Sequence, residues 1–118
     1  MKLRVLVADD EVDIANLVSY VLEDAGFDVH SVHSGLDALE TALRERPDLV
    51  VLDVMMPGLD GREVSRRLKE RIETCRIPIV LFSAAHVDLA TTTADAFLPK
   101  PFDLDALVAQ AARLTSSA

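Results

Sequence analysis

The chain has 118 residues, half of them hydrophobic, and we expect one domain over residues 1–118. Its net charge of −8, from 12 basic and 20 acidic side chains, argues against direct binding of nucleic acid or an anionic membrane. The single cysteine, Cys75, cannot form an internal disulfide. The first apolar run, Val5–Ala8, is too short for a signal-peptide core or a membrane span. These features favour a cytoplasmic protein.

The first half of the chain alternates strand-like and helix-like stretches. Leu3–Ala8 is predicted as a strand, and apolar residues at helical spacing follow it up to Gly26, which suits the position after a helix. Phe27–Val32 is predicted as a second strand. Ser34 fits the N-cap of a second helix, which Pro47 stops.

The second half continues the alternation, and Asp103 can cap a last helix. The remaining predicted strands are Leu49–Asp53, Ile77–Phe82 and Ala96–Leu98, and a third helix is marked by Val64, Leu68 and Ile72. Alternation of this kind implies a parallel sheet with right-handed crossovers. We therefore predict a flavodoxin-like, doubly wound α/β fold with five parallel strands in the order 2-1-3-4-5.

Acidic residues stand at the ends of two of these strands. Asp9 and Asp10 follow the first strand, and Asp53 ends the third. In the predicted order these strands are neighbours, and their carboxyl ends meet where ligands bind in such sheets. Three converging carboxylates repel one another unless a cation neutralises them, and hard oxygen ligands favour Mg²⁺ or Ca²⁺. Helix capping would explain one acid here but not a third on the neighbouring strand.

Two further polar residues are predicted at the same edge. Ser83 follows the fourth strand, and Lys100 follows the fifth, directly before Pro101. A carboxylate can attack phosphorus and form an acyl phosphate, while a metal ion and a lysine neutralise the charge of the transferring group. The combined set therefore favours phosphoryl-transfer chemistry.

The motifs that carry this set resemble those of the receiver domain of bacterial two-component response regulators, from Leu3 to about Leu114. The matching stretches are VADDE (7–11), VLDVMMPGLDG (51–61), LFSA (81–84) and FLPKPF (97–102). Each stretch alone is moderate evidence. All four occur in order, each at the end of a predicted strand, and this makes the resemblance specific.

The resemblance implies how the site binds metal and phosphate. Asp53 would be the phospho-acceptor. Asp10 would bind Mg²⁺ directly and Asp9 through water, and the backbone carbonyl of Met55 would be another ligand beside Asp53. Lys100 would pair with the phosphoryl group.

The resemblance also implies a switch and a partner. Ser83 would be the switch hydroxyl, Phe97 the aromatic residue that changes rotamer with it, and the Lys100–Pro101 bond a cis peptide. A sensor histidine kinase or a histidine phosphotransfer protein would donate the phosphoryl group, and an output domain or downstream protein would receive the signal. The chain would catalyse only its own phosphorylation and dephosphorylation.

One stretch departs from the family pattern. Lys100 follows Ser83 by 17 residues, about five fewer than is usual, which is more than one turn of helix. The three consecutive threonines Thr91–Thr93 are poor helix formers, and Thr93 stands where the family usually has a glycine. We predict a shortened or irregular fourth helix, with at most one helical turn in Ala85–Asp95. The use of the family's usual dimerisation and output face therefore stays open.

Two other functions are alternatives to a phosphorylated switch. A pseudo-receiver would keep the fold and bind partners without phosphate; the intact acids, serine and lysine argue against it, and the altered helix leaves it open. A nucleotide- or flavin-binding enzyme would need a glycine-rich first loop, where this chain has Ala8-Asp9-Asp10. Such an acidic loop would repel a bare phosphate.

Overall fold

The computed structural model describes residues 2–101 and 103–116. The described elements are β1 (Arg4–Ala8), α1 (Val12–Asp24), β2 (Asp28–Val32), α2 (Gly35–Glu45), β3 (Leu49–Asp53), α3 (Gly61–Lys69), β4 (Ile79–Ser83), β5 (Ala96–Pro99) and α4 (Leu104–Thr115). All neighbouring strands are parallel, in the order β2-β1-β3-β4-β5. The predicted flavodoxin-like fold is confirmed.

Helices cover both faces of the sheet. Helices α2 and α3 pack on one face with Val50, Leu52 and Leu81, and α1 and α4 pack on the other with Val51 and Phe82. Because successive strand residues point to opposite faces, the central strands β3 and β4 are buried along their whole length. Within the described ranges, no helix has both the length and the apolar character needed to cross a bilayer.

The predicted helix boundaries rest on local signals that the structure shows. The Ser34 hydroxyl accepts from the Asp37 N–H at 3.1 Å at the start of α2. Asp103 does the same for α4, accepting from the Asp105 N–H at 2.9 Å. Gly26, just after α1, has a φ of 103°, a conformation that glycine adopts without strain.

Several predicted strand ends differ from the structure by one residue, and two boundary predictions were wrong by more than that. Ile72 does not belong to the third helix: α3 ends at Lys69, and Ile72 is 88% exposed. The buried Thr74 hydroxyl donates to the Leu68 carbonyl at 2.7 Å, which directs the chain away from the helix axis. Strand β4 begins at Ile79 rather than at Ile77, because the intervening Pro78 has no N–H for the ladder.

The connection between β4 and β5, residues 84–95, has one 3₁₀ turn at Leu89–Thr91 and no α-helix. This confirms the predicted loss of a regular helix. Val87 is only 8% exposed and packs into the core that α2 and α3 cover. The end of the connection is bound to α3, since the Ser65 and Thr93 hydroxyls are 2.8 Å apart and Lys69 Nζ lies 2.9 Å from Asp95 Oδ2.

Candidate functional site

The three acids lie together at the carboxyl edge of the sheet. Ala8 pairs with Leu52 in the register of β1 and β3, so Asp9 and Asp53 come next to each other one residue later. Carboxylate oxygens of Asp9, Asp10 and Asp53 all lie within 4.8 Å of one another. Asp9 and Asp53 are buried, and Asp10 is exposed.

Backbone groups hold the two buried acids in place. The Asp9 carboxylate accepts from the Glu11 N–H at 2.9 Å, and the Asp9 N–H donates to the Val32 carbonyl at 3.2 Å. The Asp53 carboxylate accepts from the Met55 N–H at 3.3 Å. Met55 therefore lies in the loop after β3 at the acid cluster, with its side chain 63% exposed.

Lys100 is the cation that faces these acids. Its Nζ lies 3.1 Å from Asp9 Oδ2 and 3.6 Å from Asp53 Oδ1, and its side chain is only 15% exposed. The ammonium also lies 4.8 Å from the centre of the Phe82 ring, within cation–π range. Its backbone N–H donates to the Ser83 carbonyl at 2.8 Å, and the Lys100–Pro101 peptide bond is cis.

The electrostatics of the cluster favour a bound cation. Burial, and secondly the neighbouring Asp9 charge, raise the pKa of Asp53 to about 6, although Lys100 opposes both effects. One ammonium does not balance three carboxylates. An all-oxygen donor set of this charge fits a hard divalent ion such as Mg²⁺.

Ser83 and Phe97 are on neighbouring strands. Ser83 is fully buried at the end of β4, and its hydroxyl accepts from the Ala85 N–H at 3.1 Å. Leu81 pairs with Phe97 and Ser83 with Pro99, so the period of two places Ser83 and Phe97 on the same face of the sheet. Phe97 is half-buried against the core of that face.

A comparison with known families matches residues 5–112 to the response regulator receiver domain. The chain belongs to this family. Solved receiver structures support the assignment: the chemotaxis response regulator CheY4 of Vibrio cholerae is 28% identical, with a TM-score of 0.87 and coverage of 97% of this chain and 99% of that one. The receiver domain of Francisella response regulator 1452 is 29% identical, with a TM-score of 0.88 and 97% coverage of each chain.

A third structure shares the fold of this receiver domain at lower identity. It is the receiver domain of sensor histidine kinase PA1611 from Pseudomonas aeruginosa, with a TM-score of 0.90, 24% identity, and coverage of 99% of this chain and 100% of that one. That structure has a magnesium ion coordinated in its active-site cleft.

Sequence reasoning missed two contacts of the receiver site. The first is made by His33, whose Nδ1 lies 3.1 Å from the Asp9 carbonyl oxygen. The signal available in the sequence was the position of His33 directly after β2. Since Val32 pairs with Ala8, the residues that follow them, His33 and Asp9, are neighbours. The aromatic ring of Phe82 beneath Lys100 was visible only as one apolar residue in a buried strand.

Proposed function

We propose that this receiver domain, over residues 1–118, is a phosphorylation-dependent switch in a cytoplasmic two-component phosphorelay. The phosphoryl donor is a phosphohistidine of a sensor histidine kinase or a histidine phosphotransfer protein. One observation carries the proposal: the buried Asp53 carboxylate lies within 4.8 Å of oxygens of Asp9 and Asp10 and 3.6 Å from the Lys100 ammonium. The family assignment supports it independently.

The proposed transfer uses the ionised Asp53. One carboxylate oxygen attacks the phosphorus, the phosphorus–nitrogen bond breaks, and the imidazole nitrogen of the donor keeps the electron pair. An Asp53 pKa of about 6 leaves the carboxylate mostly ionised at neutral pH. In hydrolysis, a water attacks the phosphorus, inorganic phosphate leaves, and the carboxylate is restored.

Mg²⁺ is the cofactor proposed for this reaction. Asp9, Asp10, Asp53 and the Met55 backbone carbonyl would hold it, with Asp9 acting through water. The bound ion supplies positive charge for the oxygens of the transferring phosphoryl group. The ion in the PA1611 receiver supports this assignment, as do the burial of Asp53 and its repulsion by Asp9, which together raise the pKa of Asp53.

Two residues would recognise the phosphorylated state. The Lys100 ammonium, already 3.6 Å from Asp53, would pair with a phosphoryl oxygen. The Ser83 hydroxyl accepts from Ala85 and keeps its own proton to donate to the phosphoryl group. We propose that Phe97 changes rotamer with Ser83, and that an output domain or downstream protein responds to the change.

The test is phosphorylation by a small acyl phosphate, followed by intact-protein mass. We expect one added phosphoryl group in the presence of Mg²⁺ and none in chelator. Asp53→Asn should not be labelled. Asp28→Asn is the matched control, because Asp28 is an exposed aspartate at the opposite edge of the sheet, and it should be labelled as the wild type is.

Equal labelling of Asp53→Asn would show that another residue is the acceptor. Full labelling in chelator would show that phosphorylation does not require a metal ion. A wild-type chain that stays unlabelled with both an acyl phosphate and a phosphohistidine donor would favour the pseudo-receiver function, in which the fold binds partners without phosphate.

A further inference from the structure

His33 contacts the loop that carries the first two acids. Its Nδ1 lies 3.1 Å from the Asp9 carbonyl oxygen. A carbonyl oxygen can only accept a hydrogen bond, so Nδ1 must carry the hydrogen and donate it. This bond therefore selects the imidazole tautomer in which Nδ1 is protonated.

The bond fixes the peptide group that joins Asp9 to Asp10. The Asp9 carbonyl and the Asp10 nitrogen and Cα lie in one rigid plane, so rotation of this plane would move Asp10. The end of β2 contacts two successive peptide groups: the Asp9 N–H of the preceding peptide donates to the Val32 carbonyl, and His33 bonds to the carbonyl of the Asp9–Asp10 peptide itself. Asp10 itself has an exposed side chain, and its position therefore depends on its backbone.

We propose that His33 is a positioning residue for the metal site. It orients the Asp9–Asp10 peptide so that Asp10 reaches the cation held with Asp9 and Asp53. The inference rests on the proposed function, because it assigns His33 a part in that metal site. His30, three residues earlier within β2, has a different role: its Nδ1 lies 3.0 Å from Glu45 Oε1, near the end of α2.

The test compares three variants by Mg²⁺ titration followed by calorimetry and amide NMR. His33→Ala removes the donor, and the Mg²⁺ dissociation constant should rise about fivefold, as expected for one net hydrogen bond. His33→Asn places an amide donor near the position of Nδ1 and should restore affinity to within about twofold. His30→Ala is the matched control and should bind Mg²⁺ as the wild type does. His33 is exposed, so all three variants should fold, which urea unfolding would verify.

A second measurement uses the metal-free protein. Long-range proton–nitrogen NMR of the His33 ring should show a hydrogen on Nδ1, and the Asp10 amide resonance should move in His33→Ala but not in His33→Asn. Unchanged Mg²⁺ affinity in His33→Ala, or no rescue by asparagine, would overturn the inference. A wild-type chain that binds no Mg²⁺ would overturn the proposed function instead, and the ring measurement would then still decide whether His33 holds the loop.

Discussion

Replacement of Asp53 by asparagine should stabilise the metal-free protein. The pKa of Asp53 rises from its usual 3.8 to about 6 on folding, mainly because the carboxyl is buried and secondly because Asp9 lies beside it. Between these two values the folded state binds more protons than the unfolded state, so stability falls as pH rises. Above about pH 6 nearly all of this loss of folding stability has occurred.

The size of the effect follows from the same two values. The difference between 3.8 and about 6 corresponds to about 3 kcal/mol at neutral pH, because one pKa unit is worth about 1.4 kcal/mol. At pH 4.5 the cost of ionisation falls to about 1 kcal/mol. Asp53→Asn keeps the shape of the side chain and carries no charge, so it avoids this cost at every pH.

The assay is urea unfolding in chelator at pH 7.5 and pH 4.5. We expect Asp53→Asn to be more stable than the wild type by up to about 3 kcal/mol at pH 7.5 and by about 1 kcal/mol at pH 4.5. Mg²⁺ should reduce the difference in unfolding free energy between Asp53→Asn and the wild type, because it stabilises the wild type. The control Asp28→Asn should be as stable as the wild type at both pH values. The reasoning would be refuted if Asp53→Asn were less stable than the wild type at pH 7.5. It would also be refuted if the two proteins differed in unfolding free energy by the same amount at both pH values.

Two further predictions concern Lys100 and residues 84–95. Lys100→Ala should fold and bind Mg²⁺ at least as tightly as the wild type, because a positive neighbour of the cation is removed; calorimetry would measure this. A loss of affinity greater than about tenfold, or 1.4 kcal/mol, would mean that the lysine organises the empty site. Amide hydrogen exchange should be fastest in residues 85–92, where the single 3₁₀ turn has few buried contacts, and phosphorylation should slow it. Unchanged amide exchange across residues 84–97 after phosphorylation would show that this segment takes no part in the response to phosphorylation.

The fold was predictable because its signals are local. Apolar runs such as Leu49–Leu52 and caps such as Ser34 act within a few residues. The alternation of strands and helices along the chain then leaves little choice of topology. The acids could be grouped because neighbouring parallel strands place their ends at the same edge. The end of α3 was not predictable, since it depends on the buried Thr74 hydroxyl folding back onto Leu68.

The contacts around the site were harder to predict than its members. His33 follows β2 whereas Asp9 follows β1, and only the orientation of the loop brings the His33 ring nitrogen to the Asp9 carbonyl. The connection after β4 was predictable as irregular from its length and threonines. Its attachment to α3 through Thr93 and Asp95 depends on side-chain geometry that no sequence pattern specifies.

The close approach of α3 to the end of β3 has a mechanical consequence. Gly61, the first residue of α3, lies so near the Asp53 backbone that a Cβ there would clash with the Asp53 carbonyl, and its N–H donates to Val54 at 3.0 Å. A shift of the Asp53 backbone therefore cannot be absorbed at this contact and must carry the start of α3 with it. Farther along, the same helix holds Thr93 and Asp95. The segment between β4 and β5 is thus connected to the surroundings of Asp53 at both ends, through Ser83 where it begins and through α3 where it finishes.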